Sequence, residues 1–295
     1  MIEVRVPGTS ANFGPGFDCL GIALTLYNRF TFEEIDRGAE FSGFAAQYAN
    51  EENLVYRAFA HTLKELGKSP QGVRMGIAEA IPISRGLGSS AACLVAGVAG
   101  ASEWVGGGLS GHEIFQIASA LEGHPDNVAP AVFGGMTVSA KTDRGFCFQE
   151  LPIAAGLKFY GVVPDFTLST AEARQVLPEQ IPYWDGVHNV GRTALLIASL
   201  MNGEFNLLES CLDDRLHQPY RGNLIPGFEG ILKKSMELGA YGSFLSGAGP
   251  TIMVLAPAED AGFSEKLAAM VAGEKQDWRV LDLDIDFEGL KIERN

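Results

Sequence analysis

A glycine-rich segment that leads directly into an apolar stretch constrains the fold of this chain more than any other feature. Glycines let a backbone approach a ligand closely, and the first turn of a helix offers unpaired N–H groups to an anion. The segment therefore predicts a phosphate-binding loop before a helix over residues 89–105. The alternative is a glycine turn whose serine only caps a buried helix. The segment consists of Pro82, Ile83, Ser84, Arg85, Gly86, Leu87, Gly88, Ser89, Ser90, Ala91 and Ala92.

Three other nucleotide-binding patterns fit the chain less well. Residues 86–91 match the short dinucleotide fingerprint, but the acidic residue expected about 20 positions later is missing. Gly67-Lys68-Ser69 has the form of the end of a P-loop, yet Thr62 stands where the first glycine of that motif belongs. The chain has no HRD or DFG sequence, which excludes a protein kinase.

Composition and charge limit the class of protein. The chain has 295 residues, of which 46% are hydrophobic and 20% charged, as in globular proteins with a sizeable core. Its formal net charge of −14 argues against a nucleic-acid-binding or anionic-membrane-binding surface, which would need basic patches. No apolar run approaches the roughly 18 residues of a membrane span. We therefore expect a cytoplasmic protein that binds neither nucleic acid nor membrane.

The four cysteines indicate no metal or redox motif. None of them lies at CxxC spacing from another, so neither a zinc site nor a thiol–disulfide site is predicted.

Hydrophobic periodicity predicts strands and helices in both halves of the chain. Residues 2–6 alternate and indicate a first strand that Pro7-Gly8 stops, and residues 21–35 indicate a second strand. Apolar residues at helical spacing predict a helix over 53–66, while Pro125 begins a turn. This mixture favours an α+β fold with two domains, which we place at residues 1–150 and 151–295.

Four segments, in order along the chain, resemble the motifs of the GHMP kinases, a family of small-molecule kinases. The loop 82–92 resembles the central motif of the family. Residues 7–18, PGTSANFGPGFD, resemble the first motif, and residues 245–251, LSGAGPT, resemble the third. Residues 122–131, EGHPDNVAPA, are typical of the members that act on homoserine. The resemblance covers nearly the whole chain, and four ordered motifs are far more specific than one glycine loop.

The resemblance implies a fold and a reaction. The expected fold has an N-terminal domain similar to ribosomal protein S5 domain 2 and a C-terminal ferredoxin-like domain. The expected activity is transfer of the γ-phosphoryl group of ATP, with Mg²⁺, to the side-chain hydroxyl of L-homoserine, a step toward threonine. The partners would be these two small molecules, and a homodimer is compatible with the sequence.

The resemblance also implies the residues that bind nucleotide and metal. Loop 82–92 would hold ATP together with Gly247 and Gly249 of the third motif. Ser90 by preference, and Ser89 otherwise, would bind Mg²⁺ with Glu122, since magnesium takes oxygen ligands. Without the resemblance, Glu122 would be interpreted as a solvated carboxylate at a helix end.

An amino-acid substrate needs an anion for its ammonium group and a cation for its carboxylate. Asn12, Asp18 and Asn127 suit the ammonium and hydroxyl end, whereas Arg174 and Arg221 match family positions that suit the carboxylate. The alternative for each arginine is an ordinary surface charge. Asp126 fits a helix cap as well as a ligand contact.

The identity of the catalytic base is left open by the sequence. A loose transition state demands little of a base, so direct attack with the proton passing to the γ-phosphate is one option. Asp18 acting as the base is the other, and it makes Asp18 a catalytic candidate beside Ser90 and Glu122.

Two other functions compete with this one. The first is a kinase of the same fold for another small alcohol, such as shikimate or mevalonate. The second is a noncatalytic nucleotide-binding module. Intact Ser89, Ser90 and Glu122 argue against the second.

Overall fold

The structure is a computed structural model that describes residues 1–69 and 72–294, and it confirms the α+β class. The strands are β1 Ile2–Ala11, β2 Leu20–Glu34, β3 Gly38–Ser42, β4 Gly72–Ala78, β5 Met136–Thr142, β6 Gly145–Leu151, β7 Leu157–Pro164, β8 Gly242–Leu245, β9 Ile252–Pro257, β10 Trp278–Leu283 and β11 Lys291–Arg294. The α-helices are α1 Leu54–Glu65, α2 Ser89–Trp104, α3 Gly111–Glu122, α4 Val128–Phe133, α5 Thr170–Gln175, α6 Tyr183–Asn202, α7 Leu208–Cys211, α8 Gln218–Arg221, α9 Phe228–Glu237 and α10 Phe263–Val271.

The first sheet is built around the long strand β2. Its path runs β11-β1-β2-β4-β3, and β5 branches from β2 and pairs with β6. Residues 20–24 of β2 are all buried, whereas residues 28–33 alternate between buried and more exposed positions, as expected where one face is covered. The two ends of β2 pair with different neighbours, β5 near Leu20 and β4 near Glu34, so the sheet opens between them.

Helix α2 forms the centre of the first half of the molecule. Its sequence is almost entirely small and apolar, and eleven of its residues are buried. It packs against β1, α1, α3 and α4. A helix that is apolar all round is stable only when it is enclosed. Its burial fixes its first turn, and with it the glycine loop that precedes the helix.

The second sheet is antiparallel, with the order β10-β7-β9-β8. Helices α9 and α10 cover it, and Phe228, Ile231, Phe263 and Leu267 pack into a separate buried cluster there. The segment between β7 and β8 contributes α5 to α9, of which α5 carries Arg174 and α8 carries Arg221. Helices α5 and α6 contact the first half of the molecule through the bonds of Arg174 to Asp18 and of Asn189 to Pro15.

One local prediction is wrong, and one is confirmed but incomplete. Strand β1 does not stop at Pro7-Gly8 but continues to Ala11, because the register of its pairing with β2 shifts there and the proline occupies the irregularity. A proline at a bulge removes only one ladder bond. The turn predicted from Pro125 is present at Asp126 and Asn127, and it leads directly into the short helix α4, to which the sequence assigned no range.

The C-terminal strand returns to the first sheet. Strand β11 pairs antiparallel with β1, so that Ile2 lies opposite Arg294. Strand β6 ends the first half at Leu151 and β7 starts the second sheet at Leu157, but the last strand, β11, lies in the first sheet. This pairing joins the two ends of the chain and leaves no signal in a local sequence window.

Within residues 1–69 and 72–294, no helix is long and apolar enough to cross a membrane.

Candidate active site

Three glycine-containing segments, far apart in the sequence, meet at the centre of the molecule. The N–H of Gly247 donates to the carbonyl of Ala11 at 3.0 Å, and the side-chain amide of Asn12 donates back to the carbonyl of Gly247 at 2.8 Å. The hydroxyl of Ser246 donates to the carbonyl of Gly86 at 2.6 Å. The first, central and third motifs thus form one hydrogen-bonded unit, and Asn12, predicted to bind substrate, also holds two of them together.

Two glycines of loop 82–92 cannot be replaced without moving a neighbour. Gly86 and Gly88 have positive φ angles of 75° and 74°, a region that favours glycine. A Cβ atom on Gly86 would lie 2.3 Å from the carbonyl oxygen of Ser246, and one on Gly88 would lie 1.9 Å from Oγ1 of Thr9. The close approach of the three segments therefore requires glycine at both positions.

The remaining residues of the loop divide between the cleft and the core. The residues that line the cleft are Ile83, Ser84, Arg85, Gly86, Gly88, Ser89 and Ser90, together with Gly247 and Gly249 of the third motif. Leu87, Ala91 and Ala92 are buried, and Pro82 borders an adjoining cleft. The guanidinium of Arg85 donates to the carbonyls of Ile83, Pro164 and Asp165, so this side chain fastens the loop to β7.

Ser90 and Glu122, which the resemblance assigns to one metal ion, meet at the first turn of α2. The hydroxyl of Ser90 donates to Oε2 of Glu122 at 2.8 Å. Glu122 is the last residue of α3, which ends at Gly123 in the left-handed conformation. Burial raises the pKa of the Glu122 carboxyl, although the bond from Ser90 and the charge of His124 oppose the shift. A partly desolvated carboxylate with one hydroxyl partner is chemically suited to a hard cation.

At the other end of the cleft, Asp18 and Arg174 form an ion pair. The two guanidinium nitrogens of Arg174 donate to the two carboxylate oxygens of Asp18 at 2.7 and 3.2 Å. Both side chains are about one-third exposed, at 38% and 36%. Asp18 has a positive φ of 55°, and its N–H donates to Oδ1 of Asn12. Asp18 and Arg174, which were predicted to bind opposite ends of a substrate, thus bind each other.

Arg221 lies beside this pair and is buried, with 1% of its surface exposed. Its guanidinium donates to the carbonyls of Ala173 and Gly247 at 3.0 and 3.1 Å and lies 5.0 Å from the ring centroid of Phe17. Desolvation and the neighbouring charge of Arg174 lower its pKa to about 10, so it remains a cation at neutral pH. A buried cation held by neutral carbonyls has charge left for an anionic ligand.

A buried polar network fixes the turn that carries Arg221. The carboxylate of Asp214 accepts from the N–H groups of His217 and Gln218 at 3.0 and 2.6 Å and from the amide of Asn189 at 2.7 Å. The imidazole of His217 donates to the carbonyl of Gly14 at 2.8 Å and stacks on Phe17. The network ties α8 to the first glycine motif.

His124 and Asp126 complete the charged end of the cleft. The imidazole of His124 donates to Oδ1 of Asp126 at 2.7 Å. Burial opposes charging of His124, but the hydrogen bond and charge of Asp126, with those of Glu122 and Asp18, outweigh it and raise its pKa. Ligand atoms of Asp18, His124 and Asp126 lie within 4.8 Å of one another. Two carboxylates therefore face the cleft close together.

Comparison with known proteins identifies the family. The description "GHMP kinases N terminal domain" matches residues 53–135, and "GHMP kinases C terminal" matches residues 196–272. The homoserine kinase of Clostridium botulinum (strain ATCC 19397 / Type A) is 50% identical over 292 residues, which cover 99% of this chain and 98% of that protein. This chain belongs to the GHMP kinase family. The homoserine kinase of Clostridium beijerinckii is 46% identical over 293 residues, 99% of this chain and 98% of its own.

Solved structures agree with this assignment. A crystal structure of homoserine kinase from Cytophaga hutchinsonii superposes with a TM-score of 0.88 at 28% identity and covers 99% of this chain and 97% of that one. A putative homoserine kinase from Listeria monocytogenes gives 0.82 at 30% identity, with both chains fully covered. A mevalonate kinase, at 16% identity and a TM-score of 0.72 over 97% of this chain and 99% of that one, shares the fold.

Sequence reasoning missed two groups of residues in the cleft of this GHMP kinase. His124 lies inside the segment 122–131 that the sequence analysis singled out, so its place in an ordered motif was the available signal. Asp126 bonds to His124 and to the N–H of Asn127, whereas a helix cap would bond two or three residues ahead. The other missed group is an apolar wall, formed by Phe44, Tyr48, Leu54 and Ile77, which lines the cleft beside the glycine loop.

Proposed function

We propose that this GHMP kinase transfers the γ-phosphoryl group of ATP to the side-chain hydroxyl of L-homoserine. The observation that carries the proposal is 50% identity to a homoserine kinase over 99% of the chain. The cleft supports it, because a glycine loop at a helix N-terminus adjoins an end that contains both cations and carboxylates. A mevalonate-like or shikimate-like alcohol has a carboxylate but no ammonium group, and would leave the carboxylate of Asp18 without a partner when Arg174 turns to the ligand.

We place the triphosphate of ATP on loop 82–92. The N-cap of α2 is Gly88, and no side chain makes a capping hydrogen bond there, so the N–H groups of the first turn are available to a ligand. The N–H groups of the first turn and the positive end of the helix dipole favour an anion at this point. The apolar wall that contains Tyr48 and Ile77 suits a flat purine ring. Gly247 and Gly249 face the same space from the third motif.

The residues present fit a magnesium ion between Ser90 and Glu122. Both offer oxygen atoms, and the desolvated carboxylate of Glu122 has only the hydroxyl of Ser90 as a hydrogen-bond partner among the described side chains. A bound Mg²⁺ would neutralise charge on the phosphates and orient the γ-phosphoryl group. Glu122 would orient that ion from the end of α3, and Ser90 from the start of α2.

Homoserine carries an ammonium group and a carboxylate, and we propose that it replaces the Asp18–Arg174 ion pair. The ammonium group would take the place of the guanidinium on Asp18, with Asp126 and Asn127 near it, while the carboxylate would bind Arg174 and Arg221. Opening the pair costs little, because partly exposed ion pairs contribute about 0–1 kcal/mol. Only a ligand with both an ammonium group and a carboxylate gives Asp18 and Arg174 each a new partner of opposite charge.

The proton of the accepting hydroxyl has two routes. Asp18 is a poor candidate base while it is paired with a cation, because both of its carboxylate oxygens already accept hydrogen bonds from Arg174. We therefore favour direct attack with transfer of the proton to a phosphate oxygen, since phosphoryl transfer depends mostly on positioning and charge. The contribution of the protein is then to hold the hydroxyl in line with the γ-phosphorus.

The experiment is a coupled ADP-release assay with Mg²⁺-ATP and L-homoserine, shikimate or mevalonate. Stimulation by homoserine alone supports the proposal, and O-phosphohomoserine in the product mixture identifies the phosphorylated atom. Stimulation by another alcohol but not by homoserine would overturn the substrate assignment. Binding of ATP with no turnover of any alcohol would favour a noncatalytic module.

Three further expectations from the sequence stay predictions. They are the division into domains at 1–150 and 151–295, a cytoplasmic location and assembly as a homodimer.

A further inference from the structure

The hydroxyl of Thr9 lies behind the cleft, between the phosphate loop and the turn that carries Asn127. Thr9 is fully buried in β1, and its N–H donates to the carbonyl of Leu87 at 3.1 Å. Its Oγ1 atom lies so close to Gly88, the N-cap of α2, that a Cβ atom on that glycine would be 1.9 Å away. The hydroxyl donates to Oδ1 of Asn127 at 2.7 Å. Asn127 lines the cleft, so Thr9 joins the phosphate loop to a cleft residue from behind.

The contacts of Asn127 determine which way its amide group faces. Its Oδ1 accepts from the hydroxyl of Thr9, and its Nδ2 lies 3.4 Å from Oδ1 of Asp126. Turning the amide over would bring its oxygen against the carboxylate of Asp126, where two acceptors repel each other. The amide nitrogen has two N–H donors, and the contact with Asp126 is a long one. Asn127 therefore has a donor left for a ligand in the cleft.

The backbone of the turn is held independently of the Asn127 side chain. Asparagine is a favoured N-cap, and Asn127 stands at the N-cap of α4, but its side chain makes no capping hydrogen bond. The N–H of Asn127 donates to Oδ1 of Asp126 at 3.0 Å. The carbonyl of Asp126 lies against Gly21 of β2, where a Cβ atom would be 1.8 Å from that oxygen. Loss of the Thr9 hydroxyl should therefore release the amide without moving the turn.

Homoserine has three polar groups, and only one of them suits the N–H donor of Asn127. The ammonium group has donors alone, and the proposed function assigns the carboxylate to Arg174 and Arg221. The side-chain hydroxyl is left, because its oxygen can accept a hydrogen bond and still carry a proton. Since Thr9 lies against the N-cap of α2, this donor also lies beside the place assigned to the phosphates.

We propose that Thr9 is a positioning residue that turns the amide of Asn127 so that its NH2 group donates to the accepting hydroxyl of the substrate, an inference that rests on the proposed function. One lone pair of the hydroxyl oxygen is then held, and the other faces the γ-phosphorus. The new O–P bond forms as the bond to ADP breaks, and the proton passes to a phosphate oxygen. Without the Thr9 hydroxyl the amide can turn its oxygen into the cleft, where it would accept that proton and misdirect the attacking lone pair.

The test is a double-mutant cycle between Thr9 and Asn127. Thr9→Val keeps the shape of the side chain and removes the hydroxyl, and it should lower kcat by about 10–100-fold, the effect of leaving a buried polar group unpaired. The Kd for Mg²⁺-ATP should change little. Thr9→Ser restores the hydroxyl and should recover most of kcat. In an Asn127→Ala background, Thr9→Val should have almost no further effect, because the group that it orients is gone.

Two further variants separate this role from a general loss of packing. Thr62→Val is the matched control, because Thr62 is equally buried but its hydroxyl donates to the carbonyl of Ala58 within α1, outside the cleft. Its kcat should stay at the wild-type value. Asn127→Asp leaves Thr9 intact, and its carboxylate still accepts from Thr9 but offers no donor. Its kcat should fall as far as that of Asn127→Ala, and it decides the matter if Thr9→Val does not fold.

Three results would overturn the inference. They are an unchanged kcat in Thr9→Val or Asn127→Asp, an equal loss from Thr9→Val with and without Asn127, and a loss that appears in the affinity for ATP and not in kcat. The last result would mean that the amide holds a phosphate. A wild-type chain that binds ATP but phosphorylates no homoserine would instead overturn the proposed function, and this is measured before any variant. Thermal melting of each variant shows whether its fold is intact.

Discussion

The two ends of the cleft are built in different ways. The phosphate end is one continuous segment, 82–92, whose backbone is held by glycines and by the start of α2. The recognition end combines side chains from several elements, with Asp18 after β1, Asp126 before α4, Arg174 on α5 and Arg221 on α8. The first end is positioned by backbone and steric limits, and the second by charge pairs. We therefore expect substitutions at the phosphate end to remove turnover and those at the recognition end to change substrate preference.

The largest expected effect is at the phosphate end, with Glu122→Gln. Loss of an anionic ligand should weaken magnesium binding and misplace the γ-phosphate, at a cost of several kcal/mol in transition-state stabilisation. The measurement is kcat as a function of magnesium concentration. Glu113→Gln is the matched control, since Glu113 lies on the same helix and glutamine also completes its capping box. Near-normal turnover of Glu122→Gln at limiting magnesium would make Glu122 a solvated helix-end residue.

The next largest effect is at the recognition end, with Arg221→Ala. The KM for homoserine should rise with a loss of about 1.5–3 kcal/mol, the value of one charged hydrogen bond, while the KM for ATP changes far less. Arg221→Lys should rescue only in part, because an ammonium group cannot replace a planar fork. Arg215→Ala removes an exposed arginine and should change neither constant. An equal rise in both constants would show that Arg221 supports the loops and does not read the carboxylate.

A smaller effect tests the ion-pair exchange directly. Wild-type enzyme should handle 3-aminopropanol poorly, because this ligand opens the Asp18–Arg174 pair and leaves the guanidinium unpaired. Arg174→Gln frees Asp18, so kcat/KM for 3-aminopropanol should rise by up to about fivefold, the value of a partly exposed pair, while that for homoserine falls.

The same exchange makes a converse prediction for Asp18→Asn, which should improve 4-hydroxybutyrate relative to homoserine. Two unchanged preferences would contradict the exchange. They are the preference of Arg174→Gln for homoserine over 3-aminopropanol and that of Asp18→Asn for homoserine over 4-hydroxybutyrate.

The smallest effect concerns stability and separates Glu122 from an ordinary surface carboxylate. Burial raises its pKa, so the ionised form is disfavoured in the folded state, and its cost to stability appears as pH rises through the folded pKa. Glu122→Gln should therefore raise the melting temperature above that pKa, and the difference should vanish as pH falls below the unfolded value. A variant that melts below wild type at high pH would show that the carboxylate stabilises the fold. Glu113→Gln again serves as the reference.

Much of the phosphate end could be predicted from the sequence. The helix predicted from residue 89 begins at Ser89. This prediction holds because a glycine loop and the helix after it are local features, and local spacing determines them. Ser90 and Glu122, which the resemblance assigned to one metal ion, lie within hydrogen-bond distance, and their role at a metal stays a prediction. The strand predicted over 21–35 is likewise confirmed as β2.

Local patterns failed where tertiary packing overrides them. Pro7-Gly8 is a stop signal in isolation, but in the sheet it occupies an irregularity that β2 accommodates. Strand β11 is too short to be read from periodicity and exists through its pairing with β1 at the other end of the chain. His124 was missed although it lies inside the segment 122–131, because a single histidine has no periodicity of its own, and its place in the cleft beside Asp126 is visible only in the folded chain.

The sequence by itself determined the family, the fold class and the loop that would hold the phosphates, because these follow from contiguous motifs in a fixed order. Tertiary structure alone decided which charges meet. Asp18 and Arg174 were both nominated from the sequence, yet only the folded chain brings them to 2.7 Å across 156 positions. The same holds for Thr9 and Asn127, which form a hydrogen bond across 118 positions. Charge pairing and burial depend on distance in space, which spacing along the chain does not fix.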